Sequence, residues 1–504
     1  MLTGDLLDQV SRLLPEPGVT PVSPSAYDTA AVATLRSTPD GRDLLLPAAA
    51  DWLLANQHAD GSWGSPVPAP HDRVVNTLAA VVALTELARC GPDGFPDVTR
   101  RIGAGVERLH QVSRELRPDD PHETIGFELV VPVLLERARA LGLPLPFGSF
   151  GWVRAVRERK MSVVAAEAFH RVTSLAHSLE AFADRWPCSA LAGLQAADGS
   201  IGCSPAATAA MYGVTRSERA VRYLTTALRA TGQGAAPTIF PFRTFDDGWT
   251  FHALAMAGVA PRLLRPHVAR LAGRSAGGIG PSAGLPPDAD DTGMVLPLLA
   301  YCGYQADLGL LRDFETPDGY RTFELERGFS VSTNVHVLGA LLLDPVGMAR
   351  QIGIVLRFLR DSRVDGHWLD KWHLSPYYTT CHAIPLLAGL DDALCADAVA
   401  WVLAGQHPDG SWGLAGGTLE ETAYAVNCLL AVAAAHPRVR EAVHRGARYL
   451  SDGCAGGAPE YPPLWIGKVL YVPHRVVRAA VLGARYHYAR MPWAVDAAGW
   501  LAAG

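Results

Sequence analysis

The sequence predicts an all-α protein assembled from repeated helix–turn–helix units, and three observations carry that prediction. A short segment recurs as Gln57-His58-Ala59-Asp60-Gly61-Ser62-Trp63-Gly64, as Gln195-Ala196-Ala197-Asp198-Gly199-Ser200-Ile201-Gly202 and as Gln406-His407-Pro408-Asp409-Gly410-Ser411-Trp412-Gly413. Each copy is centred on Asp-Gly, a turn signal, and internal repeats of this kind reveal architecture. Apolar residues at helical spacing precede the copies, as over Leu44 to Leu54 and Ala396 to Leu403, and follow them, as at Leu78, Ala79, Val82, Leu84 and Leu87. Alternating strand patterns are scarce.

Within each repeat, the Gln amide can bond backbone groups at a helix end, and the Trp can cover that end while offering its N–H. The repeats are therefore expected to stabilise rather than catalyse. Leu116 to Pro121 and Pro144 to Gly151 read as loops. Ser275 to Asp291 is a longer Gly/Pro/Ser/Asp segment, and a loop of that length inside a compact domain is often functional.

At roughly 150 residues per domain, 504 residues allow two or three domains. Apolar residues make up 49% and charged residues 19%, enough to fill sizeable cores and to exclude wholesale disorder. A net charge of −6 argues against a nucleic-acid binder. The eight cysteines form no CxxC pair and no zinc spacing, so buried free thiols in a reducing cytoplasm are expected. No signal peptide and no apolar run of about 18 residues is evident, so stable membrane insertion is not expected.

The long loop ends in Asp288-Ala289-Asp290-Asp291. Such a cluster can cap a helix and favour its dipole. It can also do chemistry, because crowded carboxyls cannot all ionise and one proton is retained and shared. That would make a Brønsted acid able to protonate an alkene. Clustered acids also bind Mg²⁺, and spacing alone leaves both readings open.

Across nearly the whole chain the sequence resembles the class II diterpene cyclases, the protonation-initiated family that includes copalyl diphosphate synthases. Ser25-Ala26-Tyr27-Asp28-Thr29-Ala30 is similar to the family's N-terminal signature. Ile125-Gly126-Phe127-Glu128 through Pro132, followed by Leu141 to Pro146, resembles its GFE segment. Asp288 to Thr292 fits DxDDT. Ser330 to Leu338, Asp370-Lys371-Trp372-His373 and Glu420 to Tyr424 resemble the bacterial branch, and all occur in the family's order.

The resemblance implies two α/α double barrels: a β domain at 1–45 plus 255–504 that carries DxDD, and an inserted γ domain at 46–254, with no class I α domain. It casts Asp290 as the general acid, Asp288 and Asp291 as holders of its proton, and His336 as its hydrogen-bonding partner. His177 matches the histidine of a water-holding base pair. The family's Asn is replaced by Thr238 in Pro237-Thr238-Ile239-Phe240-Pro241, which puts the base, and hence the product, at issue. Asp119, Asp120 and Glu123 stand where a Mg²⁺-binding acidic segment is degenerate. Lys468 and Arg475 are the candidates for the substrate diphosphate, and Trp249, Phe251, Trp372, Tyr377 and Tyr424 for an aromatic cavity wall.

The implied reaction is cyclisation of geranylgeranyl diphosphate to a bicyclic diphosphate, copalyl-type and ent if one must be chosen. Rearranged halimadienyl or clerodane-type products and a farnesyl diphosphate substrate are the alternatives. A class I terpene synthase is the expected downstream partner. Outside the family, a helical-barrel glycosidase, a squalene-type cyclase and a non-enzymatic repeat scaffold compete.

Overall fold

A computed structural model describes residues 3–14, 21–39, 41–90, 97–118, 120, 123–162, 164, 171–182, 188–272, 278–324, 326, 328–433, 436–455 and 459–493. In chain order its helices are α1 Thr3–Leu13, α2 Ala26–Ala33, α3 Pro47–Ala55, α4 Pro70–Cys90, α5 Val98–Val112, α6 Phe127–Ala140, α7 Gly151–Met161, α8 Cys188–Leu194, α9 Pro205–Thr215 and α10 Glu218–Ala230. They continue as α11 Arg243–Met256, α12 Pro261–Ala272, α13 Ala289–Tyr301, α14 Val331–Leu341, α15 Ala349–Asp361, α16 Pro376–Leu387, α17 Asp392–Ala404, α18 Leu419–Ala433, α19 Pro437–Gly453 and α20 His474–Ala489. Two short antiparallel hairpins, β1 Glu315–Thr316 with β2 Gly319–Tyr320 and β3 Trp465–Ile466 with β4 Leu470–Tyr471, are the strands among the described residues.

The helices close into two rings. In the first, α2, α4, α6, the 3₁₀ helix Ser174–Ala181 and α9 pack in succession and α9 returns to α2, with α3, α5, α7, α8 and α10 outside. In the second, α11, α13, α14, α16, α18 and α20 close an inner ring, and α1, α12, α15, α17 and α19 lie outside it. Both are α/α barrels, as the family resemblance implies.

The boundaries fall elsewhere than 45/46 and 254/255. Helix α2 buries Ala26, Tyr27, Ala30 and Ala33 in the first core, which runs to Phe240. Helix α11 buries Phe245 and Trp249 in the second. The apolar faces decide this: α2 has its partners on α4 and α9, and α11 on α13 and α20.

The repeats cap helix ends. Trp63 Nε1 donates to the Leu53 carbonyl at 2.8 Å, and Trp412 Nε1 to Val402 at 2.7 Å. Gln57, Gln195 and Gln406 each donate to the turn's own Gly carbonyl at 2.8–2.9 Å. A Cβ on Gly61, at φ +85°, would meet the Ala104 carbonyl oxygen at 2.7 Å, so the turn needs glycine there. A further unit, Val364-Asp365-Gly366-His367-Trp368, has lost the Gln but keeps the cap: Trp368 Nε1 donates to Leu359 at 2.8 Å. Among the described residues the cysteines, such as Cys203 and Cys381, carry free thiols, and no helix is long and apolar enough to cross a membrane.

Candidate active site

The inner helices of the second barrel turn their N-terminal ends toward a cavity between the barrels. Phe242 and Phe245 at the start of α11, the acidic cluster at the start of α13 and Tyr378 in the first turn of α16 line it. The other three reach it indirectly. Thr333 of α14 shares a hydrogen bond with the lining Thr322 at 3.0 Å, Glu420 of α18 accepts from Trp465 Nε1 at 2.8 Å, and Tyr471 precedes α20. The cavity encloses about 880 Å³ including its mouth, and its walls are mostly apolar, a size and character suited to a small-molecule site.

Asp288 caps α13. Its backbone is extended and its Oδ1 accepts from the Asp291 N–H at 2.7 Å, which is why this acid stands at that position. Asp288 and Asp291 are 2% and 3% exposed. Burial first, then the neighbouring carboxyls, pushes both well above the usual carboxylate range. Two of the three acids are thus disposed to keep protons. Asp291 Oδ1 has no hydrogen-bond partner. Asp290 is the most open of the three, faces the cavity, and has Oδ1 2.6 Å from His336 Nδ1. His336 comes from the second turn of α14, whose N-terminus is pinned by Asp370: that carboxylate accepts from the Val331 and Ser332 N–H groups and from the Ser330 and Ser332 hydroxyls.

The first barrel contributes the opposite wall. His177 Nδ1 lies 2.7 Å from the Gly202 carbonyl, so Nδ1 carries the hydrogen and Nε2 is the acceptor. Burial, reinforced by the Lys468 ammonium, drives the imidazole down to about 3, so it is neutral at physiological pH. Thr238 also lines the cavity, and its buried hydroxyl lacks a partner.

Other expected residues lie elsewhere. Arg475 is fully buried in the second barrel, 2.7 Å from both Asp246 and Asp247, and also donates to the Leu13 and Leu14 carbonyls. It ties α1, α11 and α20 together and its charge is spent there, so it is no diphosphate ligand. Lys468 does reach the cavity wall, but its ammonium is buried against Glu180 at 2.8 Å, Ser204 at 2.7 Å and the His177 carbonyl at 3.1 Å. It locks the barrels together and leaves no ammonium for a phosphate.

Of the aromatic candidates, Trp372 lines the cavity. Trp249 stands behind the wall, stacked on Phe245 and donating to the Tyr378 hydroxyl at 2.7 Å. Tyr424 is also behind it, bonded to Glu420. Phe251 sits in a separate core beside Arg475, and Tyr377 packs on Trp401 and donates to the Gly405 carbonyl. The wall is built instead from Phe242, Phe245, Phe323, Tyr378, Trp465 and Tyr471. Helical phase separates neighbours here: Tyr377 and Tyr378 point about 100° apart, so only one can face inward.

Asp119 lies outside the described residues. Glu123 sits two residues from the lining Ile125 and has a buried oxygen without a hydrogen-bond partner. Burial, then Glu128, raises it to about 7. Among the described residues no three His, Cys, Asp or Glu side chains converge as a ready-made metal site. A loop offering one or two carboxylates fits Mg²⁺, which usually completes its shell with substrate phosphates and water.

No family model matches the chain. Relatives match it almost end to end. A type B diterpene cyclase of Mycobacterium tuberculosis is 35% identical over 92% of this chain and 95% of its own. A (+)-kolavenyl diphosphate synthase of Herpetosiphon aurantiacus is 31% identical over 92% and 93%. The structure of ent-copalyl diphosphate synthase from Streptomyces platensis superposes with a TM-score of 0.79 at 31% identity, over 96% of this chain and 99% of that one.

Proposed function

The chain belongs to the bacterial class II diterpene cyclases, isomerase-type enzymes, and from that premise we propose that it protonates the terminal alkene of geranylgeranyl diphosphate from Asp290 and closes two rings with the diphosphate retained. The product is a copalyl-type diphosphate, ent in configuration. The observation that carries this reading is the Asp290 carboxyl, held 2.6 Å from His336 and opening on an apolar cavity between the barrels.

His336 donating to Oδ1 leaves Oδ2 to hold the acidic proton. Asp288 and Asp291, kept protonated by burial, spare Asp290 the full repulsion of two carboxylates. Proton transfer forms a C–H bond from the alkene π pair, and the cation is captured by the next two alkenes in turn. Tyr378, Trp465 and Tyr471 present aromatic faces to those cations, and the apolar wall keeps water from quenching them. The last cation loses its proton to a water held by His177 Nε2 and Thr238 Oγ1, the neutral acceptor and the orphaned hydroxyl of the opposite wall.

The diphosphate falls to basic groups flanking the lining residues: Lys371, which lies over the Trp372 ring and is paired with Glu326, and Arg171, paired with Glu324 beside Phe323; unlike the fully buried Lys468 and Arg475, both reach solvent and can exchange their carboxylate for a phosphate. Glu123 with Asp120 and Asp119 would hold a Mg²⁺ ion, which supplies charge neutralisation for the phosphate oxygens. Because the diphosphate survives, a class I terpene synthase is the fitting consumer, and both steps belong in the cytoplasm.

The kolavenyl synthase is as similar in sequence as the ent-copalyl enzyme, and Thr238 departs from the family's Asn, so a rearranged product is the second reading. Purified protein incubated with geranylgeranyl or farnesyl diphosphate and Mg²⁺, then dephosphorylated and analysed by mass spectrometry, decides. A bicyclic C20 alcohol, absent with Asp290→Asn at unchanged helicity, is expected. A rearranged C20 or a C15 product selects the alternatives, and undiminished turnover by Asp290→Asn defeats the assignment.

A further inference from the structure

We propose that the axis of the second barrel is a proton-return line, through which the spent Asp290 carboxylate is recharged from solvent at the end of the barrel opposite the substrate cavity, by way of His336, His382 and His252. The proposal rests on Asp290 being the acid. Each cyclisation leaves that residue ionised, while the deprotonation that ends the reaction occurs at the far wall of an apolar cavity filled by product. The acid therefore needs a supply from behind.

The structure has such a line. His336 Nδ1 meets Asp290 Oδ1 at 2.6 Å, and its other nitrogen, Nε2, meets His382 Nδ1 at 3.0 Å. The His252 ring follows, 5.8 Å from His382 between centroids, a gap one water molecule spans. These residues come from different inner helices at increasing depth. Asp290 is the second residue of α13, His336 the sixth of α14, His382 the seventh of α16 and His252 the tenth of α11. All four helices start at the cavity. A rise of about 1.5 Å per residue then sets the backbone of His336 and His382 roughly 6–8 Å below Asp290, and that of His252 roughly 12 Å below. Helical side chains lean toward the N-terminus, so each histidine reaches up to the one above.

Exposure runs in the matching sense. His336 is 5% exposed, whereas His382 and His252 are half-buried. Deeper still, the half-buried His487 of α20 pairs with Asn427 of α18 at 3.3 Å. Tyr378 and Tyr424 pack on the His382 ring and hold its orientation.

The step balances as one proton in for one out. A proton relayed from bulk solvent along water past His252 is taken up at His382 Nε2, and the carrier water is regenerated. His382 releases its Nδ1 proton to His336 Nε2, and His336 releases its Nδ1 proton to the Asp290 carboxylate. The proton arrives on Oδ1, so a half-turn of the carboxyl group carries it to the acid position, and tautomerisation of the two rings resets the line. Burial first, then the neighbouring imidazoles, keeps His382 well below the ordinary histidine range, and burial drives His252 to about 3. Such rings pass a proton on rather than hold it.

The test separates the first turnover from later ones. Wild type, His382→Ala and His252→Ala are mixed with geranylgeranyl diphosphate in a quenched-flow instrument. The first turnover uses the proton already on Asp290, so its rate in the variants should stay within about twofold of wild type, which also shows that the site is folded. The steady-state rate should fall at least about tenfold in His382→Ala and less in His252→Ala, and added imidazole should restore most of the loss in His382→Ala. The proposal is overturned if both phases fall together, if His382→Ala keeps its steady-state rate, or if imidazole restores nothing. Failure of the acid assignment is read separately, as undiminished turnover by Asp290→Asn.

Discussion

The two barrels share a helical scaffold and a capping repeat, yet small residues line the first and aromatic and imidazole rings the second. The first closes on small side chains: Ala30, Ala79 and Ala83 from α2 and α4, with Ala206 and Ala209 from α9. The second carries Trp249, His336, Tyr378, His382 and Tyr424 on its inner helices. The small residues of the first border a smaller, separate pocket of about 430 Å³ beside Tyr27, Arg137 and Glu180. Large aromatic and imidazole rings hold the helices of the second apart and leave polar edges along its axis. On the proposed mechanism the first barrel is a wall that presents His177 and Thr238, and the second is the reactor. Variants in the second should decide whether anything is made, and variants in the first should decide what.

The largest effect tests the reactor. His336→Phe removes the bond to Asp290 and should lower turnover by about a hundredfold or more in a geranylgeranyl diphosphate assay. A loss of only a few fold would erase the distinction between the barrels. On the opposite wall, His177→Phe or Thr238→Val should cost less than about tenfold in total turnover but change the product pattern by mass spectrometry. An unchanged pattern would remove the first barrel from the chemistry.

Stability sharpens the contrast further. Arg475→Met takes the buried guanidinium away from Asp246 and Asp247 in the second barrel, and should cost roughly 3–5 kcal/mol in chemical denaturation while leaving the KM of the remaining folded enzyme unchanged. Buried histidines in both barrels couple stability to pH. His177 and His252 bind no proton in the folded chain until about pH 3, whereas unfolded histidine takes one near 6.5. Their contribution is complete above pH 6.5 and is lost as the pH falls from there. The buried acids work the other way: Asp28 is raised to about 6, Glu123 to about 7, and Asp288 and Asp291 well above the carboxylate range, so each takes its proton first in the folded chain. The histidine contribution is therefore read as a difference: between pH 7.5 and 5 the urea midpoint of His252→Phe should fall less, or rise more, than that of the unaltered chain. Trp63→Phe and Trp412→Phe, which delete matched caps in the two barrels, should be the mildest changes, about 1 kcal/mol each.

The repeats and the acidic cap are legible in the sequence because each is local, a turn dipeptide and an N-cap with its acids, whereas His336 is picked out only by the resemblance to the family. What escapes the sequence is what depends on which residue faces which. Lys468 and Arg475 read as cations available for a phosphate, but only folding reveals the four carboxylates, Asp28, Glu180, Asp246 and Asp247, that consume them. Tyr378 lies beside Tyr377, and a boundary at 254/255 assigns the α11 aromatics Phe245 and Trp249 to the wrong barrel. Trp368 shows the same limit in the repeats, since its turn lost the Gln that made the others visible while the indole kept its bond.

The common orientation of the six inner helices has one further consequence. Each N-terminus carries partial positive charge, and together they surround the floor from which Asp290 acts. That field favours the aspartate anion once its proton has gone, and it repels the carbocation just made. A positive centre formed there is pushed up and away, toward the aromatic wall and the neutral imidazole of the other barrel. The architecture thus works as a ratchet, making it hard for the nascent cation to hand its proton back.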